Sequence, residues 1–297
     1  MAGRLPNFLV VGAMKAGTTS LTLYLAAHPD VYVPPGKEAH FFERDERWGR
    51  GVDWYREWFA GAGSQRAIGE GTAGYMFFAD VPARMAAVVP EARLIAILRD
   101  PVERAYSHYL HTRTRAGERR TFSQIVDEEL QDNSFRSLPL SRQALGRSHY
   151  LARGLYLQQV QNLCEHYDRD ALLVLLLDDL ELHPGRAFRD VCRFLKIDDT
   201  VVPENVGTRV NPYVEPRSQR LWDLALRLRL LRALPNGVRM AAIRALVRFD
   251  PDHPPMDPDV RARLSGYFAA PNAALGEWLG RDLSHWGSPR TARQLSG

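Results

Sequence analysis

The stretch Asn7-Phe-Leu-Val-Val-Gly-Ala-Met-Lys-Ala-Gly-Thr-Thr-Ser-Leu21 leaves this chain few folds to choose from. An apolar strand runs into a loop bracketed by Gly12 and Gly17, and the loop runs directly into a helix. The glycines allow a turn tight enough for successive backbone N–H groups to converge, and a helix starting near Gly17 aims its positive end at the same point. Lys15 adds a mobile charge, and Thr18 and Thr19 add hydroxyl donors. Gly12, Lys15, Ala16, Gly17, Thr18 and Thr19 are therefore the candidate residues of a phosphate cradle. In a nucleoside-triphosphate loop the lysine follows the last glycine and precedes a Ser or Thr that helps to hold magnesium. Here Lys15 comes before Gly17.

The rest of the chain supplies the sheet that such a loop needs. Phe8 to Val11, Val31 to Val33, Ala67 to Glu70, Leu94 to Leu98 and Leu172 to Leu177 read as strands, the last two apolar throughout, as strands buried on both faces should be. Helical patterns fall between and after them, at Gly17 to Ala27, Pro82 to Val89, Pro101 to Arg115, Phe122 to Gln131, Leu155 to His166, Gly185 to Leu195 and Val260 to Leu279. The alternation predicts an α/β fold, a P-loop-like doubly wound parallel sheet flanked by helices, with ligands bound beyond the carboxyl ends of the strands. A chain of 297 residues, 45% of them hydrophobic, suits one domain over its whole length.

Composition limits the setting. No run of about 18 apolar residues exists and the first apolar run leads into the cradle, so a cytoplasmic protein is expected. Cys164 and Cys192 stand apart without a Cys-x-x-Cys pairing and read as buried thiols. The net charge of +4 rests almost wholly on arginine, with lysine only at 15, 37 and 196. That bias can reflect codon composition, so no nucleic-acid partner is inferred, but a lysine retained in an arginine-rich chain suggests that an amine is needed there.

Two further segments carry chemistry. In Leu98-Arg-Asp-Pro-Val-Glu-Arg-Ala-Tyr-Ser-His-Tyr109, Asp100, Pro101 and Glu103 make a helix start. Arg99 sits at a strand end on the cradle's edge of the sheet, and Ser107 follows two turns into the helix, a pair suited to a second phosphate. In Pro34-Pro-Gly-Lys-Glu-Ala-His-Phe-Phe42 the prolines fix a loop and Phe41 and Phe42 anchor it, while alternation along an extended segment brings Glu38 and His40 to one side. A carboxylate beside an imidazole can deprotonate a hydroxyl.

These three segments resemble, in order and spacing, the heparan-sulfate-type branch of the sulfotransferases that use 3′-phosphoadenosine 5′-phosphosulfate. Similarity continues through Gly69-Glu-Gly-Thr-Ala-Gly-Tyr75, Arg153-Gly-Leu-Tyr156, the Leu-Leu-Val-Leu strand with Asp179-Leu180 at its end, and His253-Pro-Pro-Met-Asp-Pro258, covering about residues 7 to 285. The resemblance implies that Lys15 contacts the leaving phosphate and sulfonate, Glu38 is the general base, and Arg99 and Ser107 hold the 3′-phosphate. His40 beside Glu38 can assist the base, and the arrangement requires no metal. Glu70 and Tyr75 are the candidate acceptor contacts. Two departures limit what carries over: Gly71 stands where those enzymes carry a lysine that contacts donor and acceptor, which weakens a polysaccharide assignment, and Phe249-Asp-Pro251 stands where they carry a Lys-Gly-Arg that helps to bind the donor. The acceptor is expected to be a small-molecule or lipid-linked hydroxyl.

Two other readings fit parts of the chain. A nucleotide kinase or NTPase would use Asp178 and Asp179 as magnesium ligands, although Asp179 also suits a helix cap. A non-catalytic nucleotide-binding relative would keep the fold and lose the chemistry. Residues 217–249 read as a helical cap of two helices broken near Pro235-Asn-Gly237. Its arginines at 217, 220, 227, 229, 232, 239, 244 and 248 face one acid, Asp223, and would be solvated or meet an anionic membrane peripherally.

Overall fold

The computed structural model describes residues 3–132, 149–208, 213–216, 218, 237–238, 242, 245–250 and 254–288. Five parallel strands form the central sheet: β1 (Phe8–Gly12), β2 (Val31–Tyr32), β3 (Ala67–Glu70), β4 (Arg93–Leu98) and β5 (Leu172–Leu176), in the spatial order β2-β3-β1-β4-β5. The first strand therefore lies at the centre, with Leu9 opposite both Glu70 and Leu94. Chain order reverses on either side of it, and the loop after β1 emerges where ligands bind in open α/β sheets.

The apolar runs form these strands because they can be covered on both faces. All five residues of β1 and all four of β3 are buried, as are Leu94 to Leu98 of β4. The fifth strand differs from expectation. It lies at the sheet edge, where Leu173 and Val174 are only half-buried despite the apolar sequence.

Helices α1 (Thr18–Ala26), α2 (Asp45–Trp48), α3 (Gly51–Glu57), α4 (Val81–Val88), α5 (Pro101–Ala116), α6 (Phe122–Gln131), α7 (Tyr156–Cys164), α8 (Leu177–Leu182), α9 (Pro184–Leu195) and α10 (Pro258–Leu279) flank the sheet. Helix α5 starts as its sequence indicates, with Asp100 accepting from the Val102 N–H at 2.9 Å and proline in the first turn. Helix α6 closes a capping box between Thr121 and Gln124. Residues of α5, α6 and α10, among them Val102, Tyr109, Ile125, Leu264 and Phe268, make a second apolar cluster beside the sheet's own core. No described helix is long and apolar enough to cross a membrane.

Three short helices, α2, α3 and α8, are absent from the sequence-based assignment. A two-stranded antiparallel sheet, β6 (Tyr213–Pro216) with β7 (Val247–Asp250), ends the segment expected to be a helical cap. Residues 247–249 are thus strand rather than helix, in keeping with the two-residue alternation of Val247-Arg-Phe-Asp250. Most of 217–249, like His253, lies outside the described residues.

Candidate active site

The cradle forms between β1 and α1. Gly17 is the residue before the helix and has φ of 93°, and a Cβ there would also lie 2.9 Å from Leu177, so the position suits glycine on two counts. Thr18 and Thr19 open the helix, whose first amides have no intrahelical carbonyl to meet and face outward along the axis. The Thr18 side chain is buried, however, and the Ala16 N–H is already bonded to the Ala13 carbonyl at 3.1 Å. The helix start at Gly17 to Thr19 directs its amides outward along the axis of α1.

Lys15 also has positive φ, 70°, and its Nζ lies 3.4 Å from His111 Nδ1 on α5. Arg99, at the end of β4, donates from Nη1 to the Lys15 carbonyl at 3.2 Å, while its own carbonyl accepts from the Tyr156 hydroxyl at 2.8 Å. The chain thereby brings Lys15 and Arg99 together from positions far apart in sequence. Ser107 is half-buried on α5, one turn before His111, so both lie on the helix face toward the loop.

This end of the sheet is rich in positive charge. Glu103 lies 3.8 Å from Arg99 and also pairs at 2.6 Å with Arg261, which reaches in from α10. Arg104 is completely buried and donates to the Tyr150 carbonyl. Burial holds the His108 imidazole well below its usual value, and the charges of Arg104, Arg153, His111 and Lys15 push the same way. The surroundings favour a bound anion over any further cation.

Glu38 and His40 meet as expected, with His40 Nε2 3.3 Å from Glu38 Oε2. They meet by another route than simple alternation. The segment is kinked, with left-handed backbone at Lys37 (φ 42°) and His40 (φ 49°) and the Glu38 N–H folded back onto the Gly36 carbonyl at 2.5 Å. Such conformations persist only where surrounding structure enforces them. Phe41 and Phe42 supply part of that enforcement: both are fully buried, and Phe41 stacks on Tyr55 of α3 with centroids 4.5 Å apart.

Glu70 supplies the rest. Its carboxylate accepts from the Ala39 N–H at 3.1 Å and from the hydroxyls of Thr72, Tyr75 and Tyr55 at 2.5, 2.6 and 3.1 Å. The Tyr75 hydroxyl accepts in turn from the Phe41 N–H at 3.0 Å. Glu70 and Tyr75, the candidate acceptor contacts, are both wholly buried and position the backbone on either side of His40. Burial raises the pKa of Glu70, against the hydrogen bonds that lower it.

Two further members were not recognised in the sequence. Glu43 pairs with His40 Nδ1, and a Cβ on Gly74 would lie 1.9 Å from the Glu43 carboxylate, so that glycine makes room for it. The His40-x-x-Glu43 spacing was the available signal. Lys37, adjacent to Glu38, pairs with its carboxylate and lies 3.2 Å from Thr19 Oγ1. Gly71 donates its N–H to the Lys37 carbonyl at 2.9 Å, and any side chain at 71 would meet Thr22.

The charges of this cluster follow from its contacts. Burial alone would raise Glu38, but the hydrogen bonds of His40 and Lys37 and their charges outweigh it and bring the pKa down to about 2. Burial would lower His40, yet its bonds to Glu38 and Glu43 lift it to about 9. Because the folded value for His40 exceeds the reference of 6.5, the stability gained from this pairing is complete below about pH 6.5 and disappears as pH rises through about 9. Thermal unfolding of His40→Gln beside the wild type should therefore show a gap that narrows between these two pH values. A gap that widens there would mean that His40 is neutral when folded.

The magnesium-ligand alternative finds no support at the end of β5. Asp179 caps the first turn of α8 by accepting from the Leu176 N–H at 3.1 Å and pairs with Arg281 at 2.8 Å, and Asp178 lies 3.1 Å from His285 Nε2. Cys192 is buried and Cys164 half-buried, and burial raises both thiols, Cys192 to about 12.

The sulfotransferase domain family matches residues 5–215, and the chain belongs to that family of enzymes. A sulfotransferase structure from Alicyclobacillus acidocaldarius is 30% identical, covers 95% of this chain and 99% of its own, and superposes with a TM-score of 0.69. The bifunctional heparan sulfate N-deacetylase/N-sulfotransferase 3 of mouse is 29% identical over 95% of this chain, which spans 31% of that protein. Mouse sulfotransferase SULT7A1, solved in complex with PAP, shares the fold at 12% identity and a TM-score of 0.51, over 94% of this chain and 89% of its own.

Proposed function

We propose that this enzyme transfers a sulfonate group from 3′-phosphoadenosine 5′-phosphosulfate to an acceptor hydroxyl, with Glu38 as the general base. The observation that carries the reading is the adjacency of a cation-lined cradle, formed by Lys15, Arg99 and the first turn of α1, and an ionised carboxylate reached from Thr19 through Lys37. Cations stabilise a departing phosphate, and a carboxylate accepts a proton.

Glu38 takes the proton of the acceptor hydroxyl as the acceptor oxygen bonds to sulfur. The bond from sulfur to the phosphate oxygen breaks, and the leaving phosphate keeps the electron pair. Lys15 and the α1 amides stabilise that charge, Arg99 with Ser107 holds the 3′-phosphate, and His40 orients Glu38. Positioning and electrostatic stabilisation carry most of the rate, as in phosphoryl transfer, and no metal is assigned a role. The heparan relatives are named N-sulfotransferases of a polysaccharide; a small-molecule or lipid-linked acceptor is preferred here over a polysaccharide because Gly71 leaves no side chain at a position where the heparan-type enzymes carry lysine.

Calorimetry tests the donor. Binding of 3′-phosphoadenosine 5′-phosphate should need no magnesium and should exceed that of ADP by about tenfold or more, equivalent to about 1.4 kcal/mol. Arg99→Ala should remove about 1.5–3 kcal/mol of that binding, as expected for a hydrogen bond to a charged group. Magnesium-dependent ATP binding of equal strength would point to phosphoryl transfer instead. A screen with labelled donor against hydroxyl and amine acceptors then decides the acceptor class.

A further inference from the structure

Lys37 touches both halves of the site. Its Nζ is 3.2 Å from Thr19 Oγ1 in the first turn of α1 and lies against the Glu38 carboxylate. Its backbone is fixed, with the N–H bonded to the Pro34 carbonyl at 2.8 Å and the carbonyl accepting from Gly71 at 2.9 Å. Freedom to move is left to the four-carbon stem, whose rotatable ammonium can exchange partners without disturbing the loop.

On the reading of Glu38 as base, we infer that Lys37 is a donor-responsive clamp. It masks the Glu38 carboxylate until an anion occupies the α1 cradle, and then turns its ammonium toward that anion. A carboxylate held between Lys37 and His40, with a pKa of about 2, is a weak proton acceptor. A phosphate on the cradle would sit beside Thr19 and offer the ammonium more negative charge than one carboxylate. His40 cannot follow, because its other ring nitrogen is tied to Glu43, so it stays behind to orient the base. Among the described residues, the other charged groups facing this cluster include Glu43 and Arg44, which act on His40, Arg47, which donates to the Ala39 carbonyl, and Arg153, whose charge faces Glu43. Glu38 is thus released for the acceptor proton only once donor is bound, a positioning role for Lys37 that imposes order on a two-substrate reaction.

Carbodiimide-promoted amidation of Glu38 tests the clamp, because the reagent attacks the protonated carboxyl. Peptide mass spectrometry across about pH 3 to pH 8 gives the midpoint of labelling or shows it to lie below that range, as it should for the nucleotide-free wild type, with 3′-phosphoadenosine 5′-phosphate as the probe and its binding to the same samples measured by calorimetry. In the wild type the midpoint should rise by about one to three units on saturation, the effect of losing one close opposite charge. In Lys37→Met it should be raised before nucleotide is added and move little afterwards, and Lys37→Arg should restore the low starting value. Nucleotide that binds while the wild-type midpoint stays in place would overturn the clamp and leave the donor reading intact. A midpoint unchanged in folded Lys37→Met would overturn it as well. Absence of nucleotide binding would instead remove the donor reading on which the clamp rests.

Discussion

Glu38→Gln should lower turnover by about two or more orders of magnitude and leave affinity for 3′-phosphoadenosine 5′-phosphate nearly unchanged. The substitution keeps the shape of the side chain and removes the acceptor of the proton. The cradle groups, Lys15, Arg99 and the first turn of α1, lie on other elements and keep their contacts. Loss of the carboxylate also takes from His40 one of its two partners, so the His40 pKa should fall toward its reference value. His40→Ala should cost less than Glu38→Gln, since the imidazole orients the base without receiving the proton. Single-turnover kinetics with calorimetry on the same preparation separates the two effects. Wild-type turnover in Glu38→Gln would remove Glu38 from the chemistry, whereas equal losses in the two variants would make Glu38 and His40 a joint base.

The parts of this architecture that could be read in the sequence are those set by local pattern. Residues 67–70 form β3 as expected and residues 122–131 form α6, because a short apolar run between turns and a capped amphipathic stretch each carry their own signal. Helices α2, α3 and α8 run for 4, 7 and 6 residues, too short for periodicity to emerge, and are held by tertiary packing. The edge position of β5 was illegible for a related reason: Leu173 and Val174 are as apolar as the residues of a central strand, and only the order of strands exposes them.

The site divides in the same way. The cradle was legible because its strand, glycines, lysine and helix are contiguous. The partners of Glu38 and His40 were legible only in part, since Lys37 and Glu43 meet them across left-handed backbone at Lys37 and His40 that no spacing rule predicts. Contacts between distant segments left no local trace, among them Arg261 on Glu103 and Lys15 on His111. Glu70 shows this most directly: its four donors come from residues 39, 55, 72 and 75, and nothing in the Gly69-to-Tyr75 segment alone announces that cluster.

Glu70→Leu should destabilise the protein by about 3 kcal/mol or more, the larger class of single-substitution effect, because it strands buried donors rather than merely removing a contact. The Ala39 N–H and the hydroxyls of Tyr55, Thr72 and Tyr75 would all lose a partner that water cannot replace. Glu70→Gln should cost less, since one oxygen still accepts, though its NH2 group would face donors. The pH dependence has a definite sign. Burial raises the Glu70 pKa in the folded protein, so its titration favours folding below the usual carboxylate value and works against it as pH rises through the folded value. The gap between wild type and Glu70→Leu should therefore be widest in acid and narrow toward neutrality, opposite to the trend for Glu38, whose depressed pKa contributes stability above about pH 4.5 that is lost as pH falls toward about 2. Urea unfolding of both variants at several pH values measures these gaps. Activity should fall along with stability, because Glu70 and Tyr75 hold the amides of Ala39 and Phe41 and thereby fix His40 between them and Glu38 directly before them. A Glu70→Leu protein that unfolds like the wild type would mean that the segment from Lys37 to Glu43 is held by its aromatic anchors alone.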